Sequence, residues 1–440
     1  MRLAVFIFLS VYILMLIFQK DRPAIALCGA GVFIALGTAG IYDYSVVAAL
    51  SEVDYNVLLM ISGTMGLVSL FIKSRMPAKL SEAIIKKAPD VRWAVTLLAL
   101  FAGIISAFVD NVATVLMIAP VGLAMSQKLK ISPVPVIIAI AVSSNLQGAA
   151  TLVGDTTSIL LGGFADMNFL DFFFMNGRPG IFFCVELGAL VSVFVLLFLF
   201  RKDKQAVSSV GNTTVEDGFP TFLMILCVLL LIASSFIKKP DSDFLGIIYE
   251  LRGGIICVLL SVVGIVRDCV KNRNTEALST VIKEFDFDTV ILLFGLFIVI
   301  GGIKAVGVID AVASLFVSLS GNNLFFVYTL TVFISVLFSA FIDNIPYVAT
   351  MLPVVKSLSE MISGQGSTVP YVLYFGLLIG ATLGGNLTPI GASANIAGIG
   401  ILRKNGYSVK TKDFLRIGLP ITAAAVFSGY AAVWLLWGNV

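Results

Sequence analysis

Long apolar runs, broken at intervals by short polar stretches, set the pattern of this chain. Candidate membrane spans lie at 3–19, 23–41, 55–72, 93–125, 133–163, 179–200, 219–237, 246–266, 288–303, 324–355, 369–401 and 414–437. A helix that crosses a bilayer needs about 20 apolar residues at about 1.5 Å each. Most of these runs fit one crossing. The stretches 93–125 and 324–355 are too long for one crossing and too short for two with a turn. The stretches 133–163 and 369–401 carry polar and Gly-bearing interruptions near their middles. Continuous apolarity, without strand-type alternation, excludes a β-barrel. Met1-Arg2 followed by residues 3–18 resembles a signal peptide, but no small-residue cleavage site follows, so it is read as a first span that is kept.

The chain repeats itself. SAFVDNVATVLMIAP at 106–120 matches SAFIDNIPYVATMLP at 339–353, so that Ser106, Asp110, Asn111 and Pro120 fall on Ser339, Asp343, Asn344 and Pro353 at an offset of 233. EVDYNVLLMISG at 52–63 matches EFDFDTVILLFG at 284–295 at an offset of 232, and GAATLVGDTTS at 148–158 matches GNLTPIGASAN at 385–395 at 237. Three blocks in one order at nearly one offset predict a first repeat over 1–200, a cytoplasmic linker over 201–218 and a second repeat over 219–440.

Composition sharpens the class. Apolar residues make up 59% and charged residues 12%, about half the charge of a soluble domain, and mean hydropathy is +1.04. These values exclude a soluble globular enzyme, a disordered chain and a nucleic-acid binder. With no His there is no imidazole metal site and no Ser-His or Cys-His catalysis, and the five Cys are scattered without a CxxC. If each long stretch enters and returns and each interrupted stretch crosses once, 22 Lys and Arg lie on one side and 7 on the other. The richer side is cytoplasmic and both termini are external. Each half then crosses five times, so the repeats are inverted, giving ten transmembrane helices plus two re-entrant hairpins. If the interrupted stretches also returned, the count would be 21 to 8 and the repeats parallel. The length of the interrupted stretches favours crossing.

The candidate chemistry sits at the matched interruptions. Asp110-Asn111 and Asp343-Asn344 fall at the predicted tips of hairpins 93–125 and 324–355. Asp and Asn are good N-caps, and a helix starting there points its positive end at the tip. That end suits anionic groups, whereas the side chains and freed carbonyls suit cations. An ordinary surface turn capped by Asp-Asn is the plainer reading, and its duplication in both halves weighs against it. SSNLQGAATLVGDTTS at 143–158 and GGNLTPIGASAN at 384–395 break a helix at mid-membrane, which is tolerated where the backbone lines a cavity or is buried in protein. Paired interruptions of this kind point to a transport site. Glu186 is as well read as structural as it is as a proton relay. No Walker motif appears, so ATP does not drive this chain directly.

DNVATVLMIAP, GAATLVGD, DNIPYVATMLP and GGNLTPIGASAN resemble the signature segments of the ion transporter superfamily. The nearest branch is that of arsenite permeases, NhaD-type sodium–proton antiporters and the P protein, related to citrate and dicarboxylate transporters. The resemblance implies two inverted repeats, each with scaffold and transport parts, an elevator-type movement and a homodimer in the cell membrane. By matching position it implies that Asp110, Asn111, Thr114, Asn145, Thr151 and Asp155 line the site from the first half. Asp343, Asn344, Asn386, Thr388, Ser393 and Asn395 do so from the second. Na⁺, if it is the coupling ion, falls near Asn111, Asn145, Asn344 and Asn386; H⁺ is the other coupling ion, and no organic cofactor is implied. Branch members often read GDPPN where this chain reads Gly154-Asp155-Thr156-Thr157-Ser158, which weakens arsenite specificity.

The expected function is secondary active transport of a small ion or solute across the lipid bilayer. Arsenite or antimonite efflux and sodium–proton exchange are placed first. No Lys or Arg occurs in 93–127, 131–177 or 357–402, which favours a neutral or cationic cargo. Coupled uptake of citrate, a dicarboxylate or another anion is the alternative. An intramembrane aspartyl protease would carry YD and GxGD contexts, which are not found here, and a passive channel would show no concentrative uptake.

Overall fold

A computed structural model describes residues 1–207, 211–215, 217–321, 323–363 and 371–438. The first half contains ten α-helices: α1 (Arg2–Ile17), α2 (Arg22–Thr38), α3 (Val46–Ser51), α4 (Tyr55–Lys73), α5 (Met76–Lys87), α6 (Val91–Ser106), α7 (Asn111–Lys128), α8 (Pro133–Gly148), α9 (Thr156–Phe164) and α10 (Ile181–Leu199). The second contains eleven: α11 (Phe219–Ser234), α12 (Asp243–Glu250), α13 (Arg252–Asn272), α14 (Glu276–Glu284), α15 (Phe287–Ala305), α16 (Val308–Ser320), α17 (Leu324–Ser339), α18 (Asn344–Ser363), α19 (Tyr371–Gly384), α20 (Ser393–Lys404) and α21 (Thr411–Trp437). The series α4 to α10 and α15 to α21 run in the same order, and α6 and α17 begin and end at the 233-residue offset.

This is a polytopic helical membrane fold. Among the described residues five helices, α4, α10, α13, α15 and α21, are long and apolar enough to cross a bilayer alone, and α16 with α17 form a bent pair that passes as a sixth candidate. Six shorter apolar helices accompany them. The stretch 93–125 consists of α6 and α7 around a turn at 107–110, and 324–355 of α17 and α18 around 340–343. The interrupted stretch 133–163 is α8 and α9 with a break at 149–155. Its counterpart 369–401 is α19 and α20, with a short 3-10 turn at Gly385–Leu387; its first two residues lie outside the described residues.

Local signals explain the boundaries. Asp54 caps α4 by accepting from the Val57 N–H at 2.9 Å, and Asp286 caps α15 by accepting from the Thr289 N–H at 3.0 Å, both pairs standing 232 residues apart. Asp90 caps α6 and Asn323 caps α17. A small β-hairpin, β1 (Phe174–Met175) with β2 (Arg178–Pro179), turns on Asn176-Gly177, both left-handed.

The two halves interlock. α13 lies along α4 and α2 lies along α15. Both seams are close backbone approaches. A Cβ on Gly63 of α4 would stand 2.4 Å from the Cys257 carbonyl carbon, and one on Gly295 of α15 would stand 2.8 Å from that of Ala26. Small residues at such seams let helices pack by van der Waals contact where lipid leaves no hydrophobic driving force. The first helix is tied into this frame: the Tyr12 hydroxyl donates to the Pro346 carbonyl of α18 at 2.9 Å and contacts the Thr350 hydroxyl.

The predicted linker is docked where it is described. Val91 and Arg92 donate backbone N–H groups to the Gln205 and Asp203 carbonyls at 3.0 and 2.9 Å, and Thr213 donates its N–H and hydroxyl to Glu82 at 2.9 and 2.6 Å. Burial would raise the Asp217 carboxyl, but hydrogen bonds from Arg267, the Phe219 N–H and Lys271 hold it down at about 2.

Candidate functional site

A cavity of about 270 Å³ opens where the first hairpin meets α4, the start of α15 and the start of α18. Asn111, Thr156, Asn344 and Ser393 all line it. They are the first residues of α7, α9, α18 and α20, so four helix N-termini converge on one space. Each carries roughly half a positive charge. Four carboxylates, Asp110, Asp155, Glu284 and Asp286, line the same space, with Ser69 and Thr289 beside them and no Lys or Arg among the lining residues.

Each carboxylate is held differently. One oxygen of Asp110 caps α7, accepting from the N–H groups of Val112 and Ala113 at 3.0 and 3.1 Å; its other oxygen has no partner among the described residues. Asp155, 3% exposed, accepts from the Thr157 hydroxyl at 3.0 Å and from the Asn344 amide at 3.2 Å. That last bond joins the two halves. Glu284 accepts from Ser69 at 2.5 Å and Asp286 from the Thr289 hydroxyl at 2.6 Å. Asp343 accepts from Ser393 at 2.9 Å and from the Ile345 N–H at 3.3 Å, and pairs with Arg22 of α2 at 3.2 Å.

Beneath the cavity an amide chain crosses the molecule. Asn111 donates to Asn145 at 2.9 Å, Asn145 donates to the Thr382 carbonyl at 2.7 Å and to Asn386 at 3.1 Å, and Asn386 donates to the Val142 carbonyl at 2.9 Å. All are buried, and buried amides of this kind stay in place because every alternative leaves a polar group unpaired.

The helix breaks are clamped to the hairpin turns twice over. The Thr151 hydroxyl donates to the Ala107 carbonyl and the Thr388 hydroxyl to the Ala340 carbonyl, the acceptors standing 233 residues apart and the donors 237. Ser158 donates to the Gly148 carbonyl at 3.3 Å and Asn395 to the Gly385 carbonyl at 3.1 Å.

Of the twelve residues named from sequence, the cavity brings together Asp110, Asn111, Asp155, Asn344 and Ser393. Asn145 and Asn386 stand in the amide chain below, and Asp343 is turned to Arg22. Thr151 and Thr388 spend their hydroxyls and Asn395 its amide nitrogen on the breaks, and Thr114 is fully buried. Sequence reasoning missed Arg22, Ser69, Glu284, Asp286 and Thr289. The signal for Glu284 and Asp286 was present, since both open the repeated block at 284–295, but that block served only to mark register. Arg22 was one of the 22 Lys and Arg counted on the cytoplasmic side.

A larger cavity of about 670 Å³ lies at the start of α4 and α13 and the end of α9, with Asp54, Asp166, Lys239, Glu250 and Arg252 in its wall. Its charges are mixed and it holds neither tip aspartate, so the converging helix ends single out the smaller cavity.

The family model described as citrate transporter matches residues 12–380. The chain belongs to that family. An uncharacterized transporter of Mycobacterium tuberculosis is 32% identical over 447 residues, covering 98% of this chain and 97% of the relative. The 46 kDa membrane protein of Mycobacterium leprae is 30% identical, covering 98% of both. The P protein of Mus musculus is 25% identical, covering 95% of this chain and 58% of that protein. In fold, the chain is similar to the YdaH transporter of Alcanivorax borkumensis, with TM-score 0.58, 14% identity and 96% and 98% of the two chains covered. It is also similar to MtrF of Neisseria gonorrhoeae, with TM-score 0.55, 14% identity and 88% and 82% covered. Membership of this family makes the chain a secondary transporter and not an enzyme. It also reorders the cargo readings: the carboxylate reading, placed behind arsenite and sodium–proton exchange on sequence, is the one the family fits.

Proposed function

We propose that this protein is a cation-coupled transporter of a small carboxylate in the cell membrane. It works by alternating access between two inverted repeats of five crossings each, with both termini external. The observation that carries this reading is the convergence of four helix N-termini and four carboxylates on one cavity. The N-termini, with about two positive charges between them, suit the carboxylate groups of the cargo. Asp110, Asp155, Glu284 and Asp286 suit H⁺ or Na⁺, whose arrival removes the negative charge that would otherwise repel the anion. Cargo and coupling ion then bind in concert, which is what a symporter needs. Asn111 and Asn344, which line the cavity, supply carbonyl oxygens for Na⁺. The elevator-type movement and the homodimer implied by the superfamily resemblance complete this reading.

The test is uptake by the purified protein in proteoliposomes. Citrate or succinate is expected to accumulate against its gradient when a pH or Na⁺ gradient is imposed, and not without one. Accumulation independent of any gradient, or flux that only equilibrates, would overturn the proposal. A second reading, exchange of Na⁺ for H⁺ with no anionic cargo, is favoured by the lack of Lys and Arg in the cavity lining. Na⁺-driven proton movement without carboxylate uptake would establish it instead. The inverted arrangement has its own test. Lys87→Cys and Lys356→Cys in a cysteine-free background should label from opposite faces of intact cells with a membrane-impermeant maleimide, and only Lys356→Cys should label from outside.

A further inference from the structure

The two tip aspartates occupy matched positions, yet only one has a cation. Asp343 pairs with Arg22, the first residue of α2, at 3.2 Å, with the two side chains 15% and 6% exposed. Among the described residues Asp110 has no basic partner within ion-pair distance and one of its oxygens has no hydrogen bond, and Asp110 lines the cavity. The counterpart of α2 in the other half is α13. It lies along α4 as α2 lies along α15, and the close approaches at Gly63 to Cys257 and at Gly295 to Ala26 bring the two seams into register at an offset of 231. In that register the first residue of α13, Arg252, falls within one residue of the place of Arg22.

Arg252 closes no ion pair among the described residues. Its guanidinium donates to the Tyr249 carbonyl at 2.8 Å and stands over the Tyr249 ring at 3.9 Å; Asp171 feels its charge but closes no ion pair with it. It faces the 670 Å³ cavity, and so does Leu152. Leu152 follows Thr151, whose hydroxyl holds the Ala107 carbonyl three residues before Asp110. The break that is clamped to the first hairpin therefore borders the space into which Arg252 projects.

Resting on the alternating-access reading above, we infer that Arg252 and Asp110 form the counterpart of the Arg22–Asp343 ion pair, and that the two pairs are made alternately as the transporter changes state. In a protein built of two matched halves, the opposite state arises when the halves exchange roles. The structure shows one half with its pair closed and its cavity lacking a cation at the other tip. In the opposite state Asp343 becomes the tip that is free for the coupling ion. Arg22 and Arg252 are thus positioning residues, each an internal substitute for the transported cation at the tip that is out of use. Two charges that meet and part this way suit a switch, because the coupling cation takes the place of the Arg beside the carboxylate, so that the buried negative charge is not left alone when the pair opens.

The test uses full-length protein with its five native Cys replaced. Arg22→Cys with Asp343→Cys, and Arg252→Cys with Asp110→Cys, are treated in proteoliposomes with a short rigid bismaleimide, which spans the gap that an Arg side chain bridges and a direct disulfide would not. Each pair is expected to cross-link, and the chain carrying all four Cys should form either bond but not both in one molecule. Arg22→Gln, which removes the pair seen here, should raise the yield of the 110–252 bond by about tenfold. Both bonds in one molecule would show that the pairs do not alternate. No 110–252 bond, with or without Arg22→Gln, would show that the counterpart pair does not exist. Gradient-driven uptake by the unaltered protein separates the two levels. If it is present while the 110–252 bond fails, only this inference falls, and if it is absent the carrier reading falls.

Discussion

Asp155→Asn is expected to abolish gradient-driven transport while leaving the protein folded and monodisperse. Asp155 is the carboxylate that touches both halves: its one hydrogen-bonding oxygen takes the Thr157 hydroxyl and the Asn344 amide, and it lines the cavity beside Asp110. Asn keeps the shape, and its carbonyl oxygen in the place of the bonding oxygen can accept both bonds, so packing survives. What it loses is the charge that a coupling cation answers. A hydrogen bond to a charged group is worth about 1.5–3 kcal/mol, so coupled uptake should fall by more than tenfold. The measurement is counterflow and gradient-driven uptake in proteoliposomes, with thermal unfolding in detergent as the control for folding. Undiminished coupled uptake would remove Asp155 from the mechanism. Asp110→Asn is expected to lose coupling in the same way, since Asp110 lines the same cavity. Asp343 differs from both, because Arg22 already answers its charge in this conformation.

The asymmetry between Asp110 and Asp343 marks where sequence reading runs out. The repeat showed that the two Asp-Asn dipeptides are counterparts, and the helix boundaries at Asn111 and Asn344 follow from the N-capping chemistry of the residues before them. The duplicated breaks at 149–155 and 385–392 were legible for the same reason, as Gly148, Thr151 and Gly154 recur as Gly385, Thr388 and Gly391. What the sequence could not supply was which partner each tip would meet. Arg22 lies 321 residues from Asp343, in a helix whose own pattern marks only a short apolar span. The seams joining α2 to α15 and α13 to α4 cross from one half to the other, and a reading by halves keeps such partners apart. Lining residues failed for a related reason. Thr151 and Thr388 look like ligands because they are polar at mid-membrane, but the carbonyls freed at the hairpin turns need donors, and these two hydroxyls supply them. Polar residues in an apolar run are thus shared between holding cargo and repairing broken backbone, and residue type alone does not divide them.

The repair sites carry the second large expectation. Gly154→Ala and Gly391→Ala should each destabilise the protein strongly, and by similar amounts. A Cβ on Gly154 would stand 2.6 Å from the Gly148 carbonyl oxygen and 2.7 Å from those of Ser106 and Ala107. A Cβ on Gly391 would stand 2.6 Å from the Gly385 oxygen and 2.8 Å from those of Ser339 and Ala340. The six acceptor residues match across the halves. None of these atoms is the end of a flexible side chain, so relief requires the hairpin turn to move away from the break. That movement would pull the Thr151 or Thr388 hydroxyl off its carbonyl and leave a polar group unpaired in the protein interior. Overpacking costs roughly 1–3 kcal/mol, and an unsatisfied buried group adds about 1–3 kcal/mol more. The expected result is a large fall in melting temperature or loss of folded protein for both variants. Gly31→Ala on α2, where an added Cβ meets no atom within 4 Å, should leave stability unchanged. Equal stability of the Gly154 and Gly31 variants would mean that the hairpin turn does not rest on the break. The duplicated clamp would then lose its place as the feature that fixes the two tip aspartates relative to the helix ends they face.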